Sequence, residues 1–221
     1  MFSPERVDRW GGFYLGGAVG ASWSEADGFG HNPYREPFGQ RSSLGGFTGG
    51  AKVGYSRQIG SFVVGVEADI QTLRAEATTN YTDPLPLWST SERYSASTNW
   101  LSTVRMRMGV TTSPFMLVYV TGGFALTEIA FTDEWSVYDA QLVSVGLLPG
   151  SIGQTRFSVG WTVGIGLECA LGDRWSAVLE ALYIDLGTVG FTQTDTSGRA
   201  YVTQAGDLSM GLTRIGINYR F

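Results

Sequence analysis

From Arg156 to Leu171 the chain alternates without a break. Phe157, Val159, Trp161, Val163, Ile165, Leu167, Cys169 and Leu171 fall at one parity, while Arg156, Ser158, Thr162, Glu168 and three glycines fall at the other. Side chains two apart on a strand share a face. The pattern therefore predicts one long strand with a bulky apolar face and a small or charged face. Asn99–Gly109 repeats it, with Trp100, Val104, Met106 and Met108 opposite Arg105 and Arg107. Phe62–Ile70 sets Phe62, Val64, Val66, Ala68 and Ile70 against Glu67 and Asp69, and Phe47–Tyr55 sets Phe47, Val53 and Tyr55 against Lys52. The chain ends the same way: Ile215, Ile217, Tyr219 and Phe221 oppose Arg214, Gly216, Asn218 and Arg220.

Eight such segments are expected, at about 10–21, 44–57, 61–73, 98–112, 115–131, 155–171, 174–188 and 207–221. Short connections fall at Gln58-Ile59-Gly60, Ser113-Pro114 and Gly172-Asp173. Long ones are expected at about 22–43, 74–97, 132–154 and 189–206. Residues 1–9 form a leading segment of a single domain, 1–221. Strand seven is ambiguous: Leu179, Ala181 and Tyr183 share a face, yet Val178, Leu182 and Ile184 on the other are also apolar. Parity also slips near Leu212, so the pattern there allows either a bulge or an apolar patch on the inner face.

Strands in soluble sandwiches usually stop near 5–6 residues. Longer strands of period two, joined by alternating short turns and long loops, fit a transmembrane barrel, in which the apolar face meets lipid. Composition agrees. Of 221 residues, 43% are hydrophobic and 13% aromatic, but only 16% are charged, below the usual quarter or so, and Gly is 31, about twice the ordinary share. Phe115–Leu126 is the most apolar run and is well short of the ~20 residues a spanning helix needs. Spanning by strands then requires a closed barrel, because an open edge in lipid leaves backbone groups unpaired. The start, MFSPERVDRW, lacks the apolar core of a secretory signal. A net charge of −5 argues against a nucleic-acid partner. The single Cys169 excludes an intrachain disulfide and a thiolate metal cluster; its parity faces lipid.

The opening WGGFYLGGAVGAS resembles the first strand of the outer-membrane immunogenic, or porin-family, proteins, chiefly of alphaproteobacteria. VVGVEADIQ, WLSTVRMRMGV, VYVTGGFAL, GWTVGIGLE and RIGINYRF resemble the family's later strands in the same order. The resemblance implies an OmpA-like, eight-stranded antiparallel up-and-down barrel in the outer membrane of a Gram-negative cell envelope, with short periplasmic turns and long extracellular loops. It implies outer-membrane lipid and lipopolysaccharide as surroundings, and a role as surface antigen. It also implies that Arg214, Gly216, Tyr219 and Phe221 form the C-terminal signal read by the outer-membrane assembly machinery.

Candidate chemistry is sparse. The only histidine, His31, is expected in the first long loop, so neither a Ser-His-Asp arrangement nor a four-ligand zinc site can be assembled around it, and no enzyme is expected. No helix follows the GIG at Gly164–Gly166, so it is no dinucleotide fingerprint. No cofactor is expected; haem, which the resemblance raises for some members, would need Tyr or Met ligands here. The sharper feature is charge of inward parity: Glu67, Asp69, Arg105, Arg107, Glu168, Glu180 and Arg214, with Lys52 and Arg220. An eight-stranded barrel is just wide enough for its side chains to fill, and buried charges must pair. The acids can face the arginines across the lumen, either as a plug of ion pairs or as the lining of a narrow pore. The loops are unusually apolar. Trp88, Trp135, Leu142, Leu147 and Leu148 are candidate contacts for an envelope or host protein, or the apolar loops fold together as a cap or extend the strands above the membrane. Trp10, Trp100 and Trp175 are expected in the aromatic girdle. The expected function is structural, for envelope integrity, with surface loops open to recognition. The alternatives are a small porin with a charged lumen, and an adhesin or ligand receptor acting through the loops.

Overall fold

The computed structural model describes residues 9–31, 38–82, 90–137, 150–194 and 200–221. They form eight strands: β1 (Gly12–His31), β2 (Phe38–Ile59), β3 (Phe62–Thr82), β4 (Thr90–Ser113), β5 (Met116–Val137), β6 (Gly150–Ala170), β7 (Trp175–Thr194) and β8 (Ala200–Arg220). Each pairs antiparallel with its neighbours in sequence, and β8 returns to β1 to close the barrel. The closing ladder runs from Tyr14↔Arg220 to His31↔Thr203. Phe221 extends it by one bond, its N–H donating to the carbonyl of Phe13 at 3.0 Å.

Period two decides which side chains point where. Phe13, Val53, Val66, Met106, Val120, Ile165, Leu179 and Ile217, one from each strand, are all exposed on the outside. Each is flanked by a residue that points into the barrel. Rings gather at the short-turn end of this apolar belt: Phe13 against Tyr55 at 4.8 Å, Trp175 against Tyr219 at 5.0 Å, and Tyr219 against Phe221 at 5.2 Å. Trp175 takes its expected girdle place. Trp10 does not: its indole is 2% exposed and lies inside the barrel mouth.

The strands outrun the alternating pattern at one end. Most of the expected loops 22–43, 74–97, 132–154 and 189–206 is strand, and the intervals between strands shrink to residues 32–37, 83–89, 138–149 and 195–199. Gln58 and Ile59 likewise belong to β2 rather than to its turn. The long extensions have a physical cause. Beyond the apolar belt no face needs to be greasy, so the period-two signal fades while the backbone ladder continues.

The interior is layered. At the short-turn end Trp10, Val63, Leu117, Tyr119 and Val178 pack together. At the other end Leu73, Leu101, Ala125, Leu182, Ile184, Leu186, Met210 and Leu212 form a second apolar layer. The β7–β8 ladder is unshifted from Tyr219 to Ser209, so the parity slip at Leu212 is an apolar patch of the inner face and not a bulge. Lys52, Glu67, Asp69, Arg105, Glu180 and Arg214 lie between the two layers, and Glu168 sits level with Leu117 and Val178.

Candidate functional site: a charged layer sealed in the barrel

The charged layer begins with ladder neighbours. Register sets Glu67 opposite Arg105 on β3 and β4, and Glu180 opposite Arg214 on β7 and β8. Closure then brings these pairs together across the lumen. Arg105 reaches from β4 to β7, with Nη1 3.0 Å from Glu180 Oε1, while its Nη2 holds Asp69 Oδ2 at 2.8 Å and also pairs with Glu67. Arg214 donates from Nε to Glu180 Oε2 at 2.7 Å and lies 2.9 Å from Asp69 Oδ2. Lys52 Nζ lies 3.3 Å from Glu67 Oε2. Three cations, Lys52, Arg105 and Arg214, thus meet three acids, Glu67, Asp69 and Glu180, with no excess of either sign. Two guanidinium groups bridge the same carboxylates through different nitrogens, a sharing that the several donors of arginine allow.

A second group centres on Glu168, nearer the short turns. It pairs with Arg107, accepts from Ser176 Oγ at 2.5 Å and from Asn218 Nδ2 at 3.1 Å, and lies 3.4 Å from Arg220 Nη2. Arg107 stacks on the Tyr119 ring, 3.6 Å from its centroid, a cation–π contact that is stronger when desolvated. Tyr14 and Tyr119 join the two groups: their hydroxyls donate to Glu67 at 2.8 Å and Glu180 at 3.2 Å. Every charged side chain in both groups is less than a tenth exposed. Trp10 stands over the second group. Its carbonyl accepts from Ser56 Oγ at 2.5 Å and from Arg220 Nη1 at 2.8 Å, and its N–H donates to Gln58 Oε1 at 3.1 Å.

All the inward charges expected from parity, including Lys52 and Arg220, are therefore buried and brought into contact. Sequence reasoning missed Tyr14, Tyr119, Trp10, Ser176 and Asn218. Tyr14 and Tyr119 have inward parity, but the space for their rings comes from Gly54 and Gly166, where an added Cβ would collide with them. That complementarity depends on cross-strand register, which no single segment shows.

The remaining candidates separate. Arg214 and Gly216 point inward, while Tyr219 and Phe221 lie on the outer belt, Phe221 74% exposed. Thus the expected assembly signal spans both faces of β8. Trp88, Leu142, Leu147 and Leu148 lie outside the described residues. Trp135 belongs to β5, paired with Gly150, and not to a loop. His31 likewise ends β1, its backbone opposite Thr203.

Comparison with known proteins matches this geometry. Two solved structures share the fold: the outer membrane protein OprG of Pseudomonas aeruginosa, with TM-score 0.52 and 10% identity over 96% of this chain and 97% of that one, and the outer membrane protease OmpT of Escherichia coli, with TM-score 0.51 and 8% identity over 100% and 99%. At such identities the likeness speaks for fold alone. In sequence, the chain is 30% identical over 182 residues to the 31 kDa outer-membrane immunogenic protein of Brucella melitensis, covering 81% of this chain and 68% of the relative. It is 27% identical to the 22 kDa outer membrane protein of Rhizobium leguminosarum bv. viciae, over 96% of this chain and 78% of that one. Residues 3–221 match the family model described as outer membrane protein beta-barrel domain. A closed ring of eight strands, greasy outside and charged within, thus belongs to the outer membrane protein beta-barrel family and resides in the bacterial outer membrane.

Proposed function

We propose that this protein is a non-enzymatic, non-conducting structural barrel that reinforces the outer membrane and carries its recognition surface above it. One observation supports the reading: the charged layer is closed at both ends by apolar side chains. Trp10, Leu117 and Val178 lie on the periplasmic side, and Leu101, Leu182, Ile184 and Leu212 on the other. A water-filled pore needs polar walls throughout and an open bore. Here every cation has an acid partner, with Arg107 and Arg220 sharing Glu168, and a filled lumen offers an ion no hydrated path. No cluster of base and nucleophile lines a cleft, so catalysis has no site among the described residues.

Single-channel recording in a planar bilayer tests this directly. Protein shown to be folded by its heat-modifiable gel mobility should give no steady current steps. Cells lacking it should become detergent-sensitive. Reproducible steps whose ion selectivity changes in Arg105→Ala would replace this reading with a small porin.

A further inference from the structure

The ladders do not all rise to the same height. β1–β2 stays paired to Gly30↔Phe38, β3–β4 to Thr82↔Ser91, β4–β5 to Thr90↔Val137, and β5–β6 to Trp135↔Gly150. β7–β8 resumes after a bulge and reaches Thr194↔Ala200. Two ladders stop early: β2–β3 at Thr48↔Leu73, and β6–β7 at Trp161↔Asp185. The seams lie on opposite sides of the ring. Beyond them the described ladders join β7-β8-β1-β2 on one side and β3-β4-β5-β6 on the other.

Local chemistry opens the β6/β7 seam. Gly160 lies so close to β7 that a Cβ there would collide with the Asp185 carbonyl oxygen. Ser158 Oγ still donates to the Leu186 carbonyl at 3.2 Å. Then Gly187 takes φ 66°, its N–H turns to the Asp185 carboxylate at 2.7 Å, and the β7–β8 register shifts between Asp185 and Thr188. Such a bulge bends its strand, and a Cβ on Gly187 would meet nothing within 4 Å. Among the described residues, β6 continues from Val159 to Gly150 with a ladder partner, β5, on one side only. Thr155, Arg156 and Phe157 are consecutive and all exposed.

The direction of the backbone groups follows from the turn below. Ala170 N donates to the Phe115 carbonyl, toward β5, and Leu171 N to the Trp175 carbonyl, toward β7. The β5–β6 register carries no shift up to Gly150. Alternation therefore persists, and Ser151, Gly153, Thr155, Phe157 and Val159 present N–H and C=O to the seam.

We propose that this edge of β6 binds an extended segment of another polypeptide at the cell exterior, added to the sheet as a strand. The inference goes beyond the closed-barrel reading and does not depend on it. The chemistry names the occupant: alternating donors and acceptors at strand spacing are complementary to another extended backbone. Edges are usually guarded by proline, lysine or charge. Gly150–Gly160 has no proline or lysine and a single charge, Arg156, whose N–H and C=O lie on the β5 side, and Leu186–Thr194 has no proline or charged residue. A second copy fits poorly. Two copies inserted in the same sense and related by a twofold axis would bring the same edge of β6 together in parallel, which makes no regular ladder.

The probe is a phage-displayed library of random extended peptides, selected on the full chain in lipid nanodiscs, with the enriched peptides then synthesised. Thr155→Pro removes one seam-facing N–H and no bond to β5. It should weaken peptide binding about tenfold or more, the loss of one hydrogen bond plus a steric block, while Thr155→Val binds as the parent does. Amide exchange gives a second readout on the unaltered chain: peptide should slow the amides of Ser151, Gly153, Thr155 and Phe157 and leave Gln154 and Ser158 unchanged. Failure to enrich any peptide, binding indifferent to Thr155→Pro, or seam-facing amides already protected without peptide would each overturn the proposal.

Discussion

Replacing Arg105 by leucine tests the energetics of the sealed layer. The guanidinium is completely buried and is shared by Glu67, Asp69 and Glu180. Its removal leaves three buried carboxylates facing Lys52 and Arg214 alone. Breaking a buried pair by deleting one partner typically costs about 3–5 kcal/mol, because the stranded charge is uncompensated. Arg214 still touches Asp69 and Glu180, so the lower end, about 3 kcal/mol, is expected. With a urea slope of about 2 kcal/mol per molar, the unfolding midpoint in lipid vesicles should fall by roughly 1.5 M. Tryptophan fluorescence follows the transition, and the exposed Arg57→Ser serves as reference, with no measurable shift expected. Replacing both Arg105 and Glu180, by Leu and Gln, should cost clearly less than the sum of the single changes, since the two touch at 3.0 Å. The reasoning is refuted if Arg105→Leu costs under about 1 kcal/mol, the range of solvated ion pairs. Water would then reach the layer, and the porin reading would gain.

Three further outcomes follow from the same geometry. Trp10→Ala empties the periplasmic mouth and should lower stability by about 3 kcal/mol, read in the same titration. Gly166→Val drives a side chain into the Tyr119 ring, which must leave Glu180, and overpacking of this kind should cost about 1–3 kcal/mol. Deleting Phe221, exposed on the outer belt, should reduce assembled protein in the outer membrane of cells far more than it impairs refolding from urea. Equal loss in both would assign Phe221 to stability rather than to an assembly signal.

The interior charges were legible because parity is a local property. Glu67 and Arg105 announce their direction through apolar neighbours one residue away, and both are buried in the barrel, whereas Arg156, at the same parity as Glu168, is exposed beyond the belt. Strand seven shows the limit: Val178, Leu182 and Ile184 are apolar but inward, and only closure shows that they build the layers above and below the ions. Trp10 shows another limit. An aromatic residue near a strand start suits a lipid interface, but here the chain turns it inward onto Ser56 and Arg220, the latter contributed by the last strand.

By itself, the sequence determined an eight-stranded barrel, its lipid-facing belt and the inward side of Glu67, Asp69, Arg105, Arg107, Glu168, Glu180 and Arg214, because backbone alternation writes direction into neighbouring positions. The tertiary structure decided which acid meets which base, where the strands outlast the membrane, and where β6 parts from β7. Those depend on register, on closure and on the room beside Gly54, Gly160 and Gly166, and register joins residues that are distant along the chain.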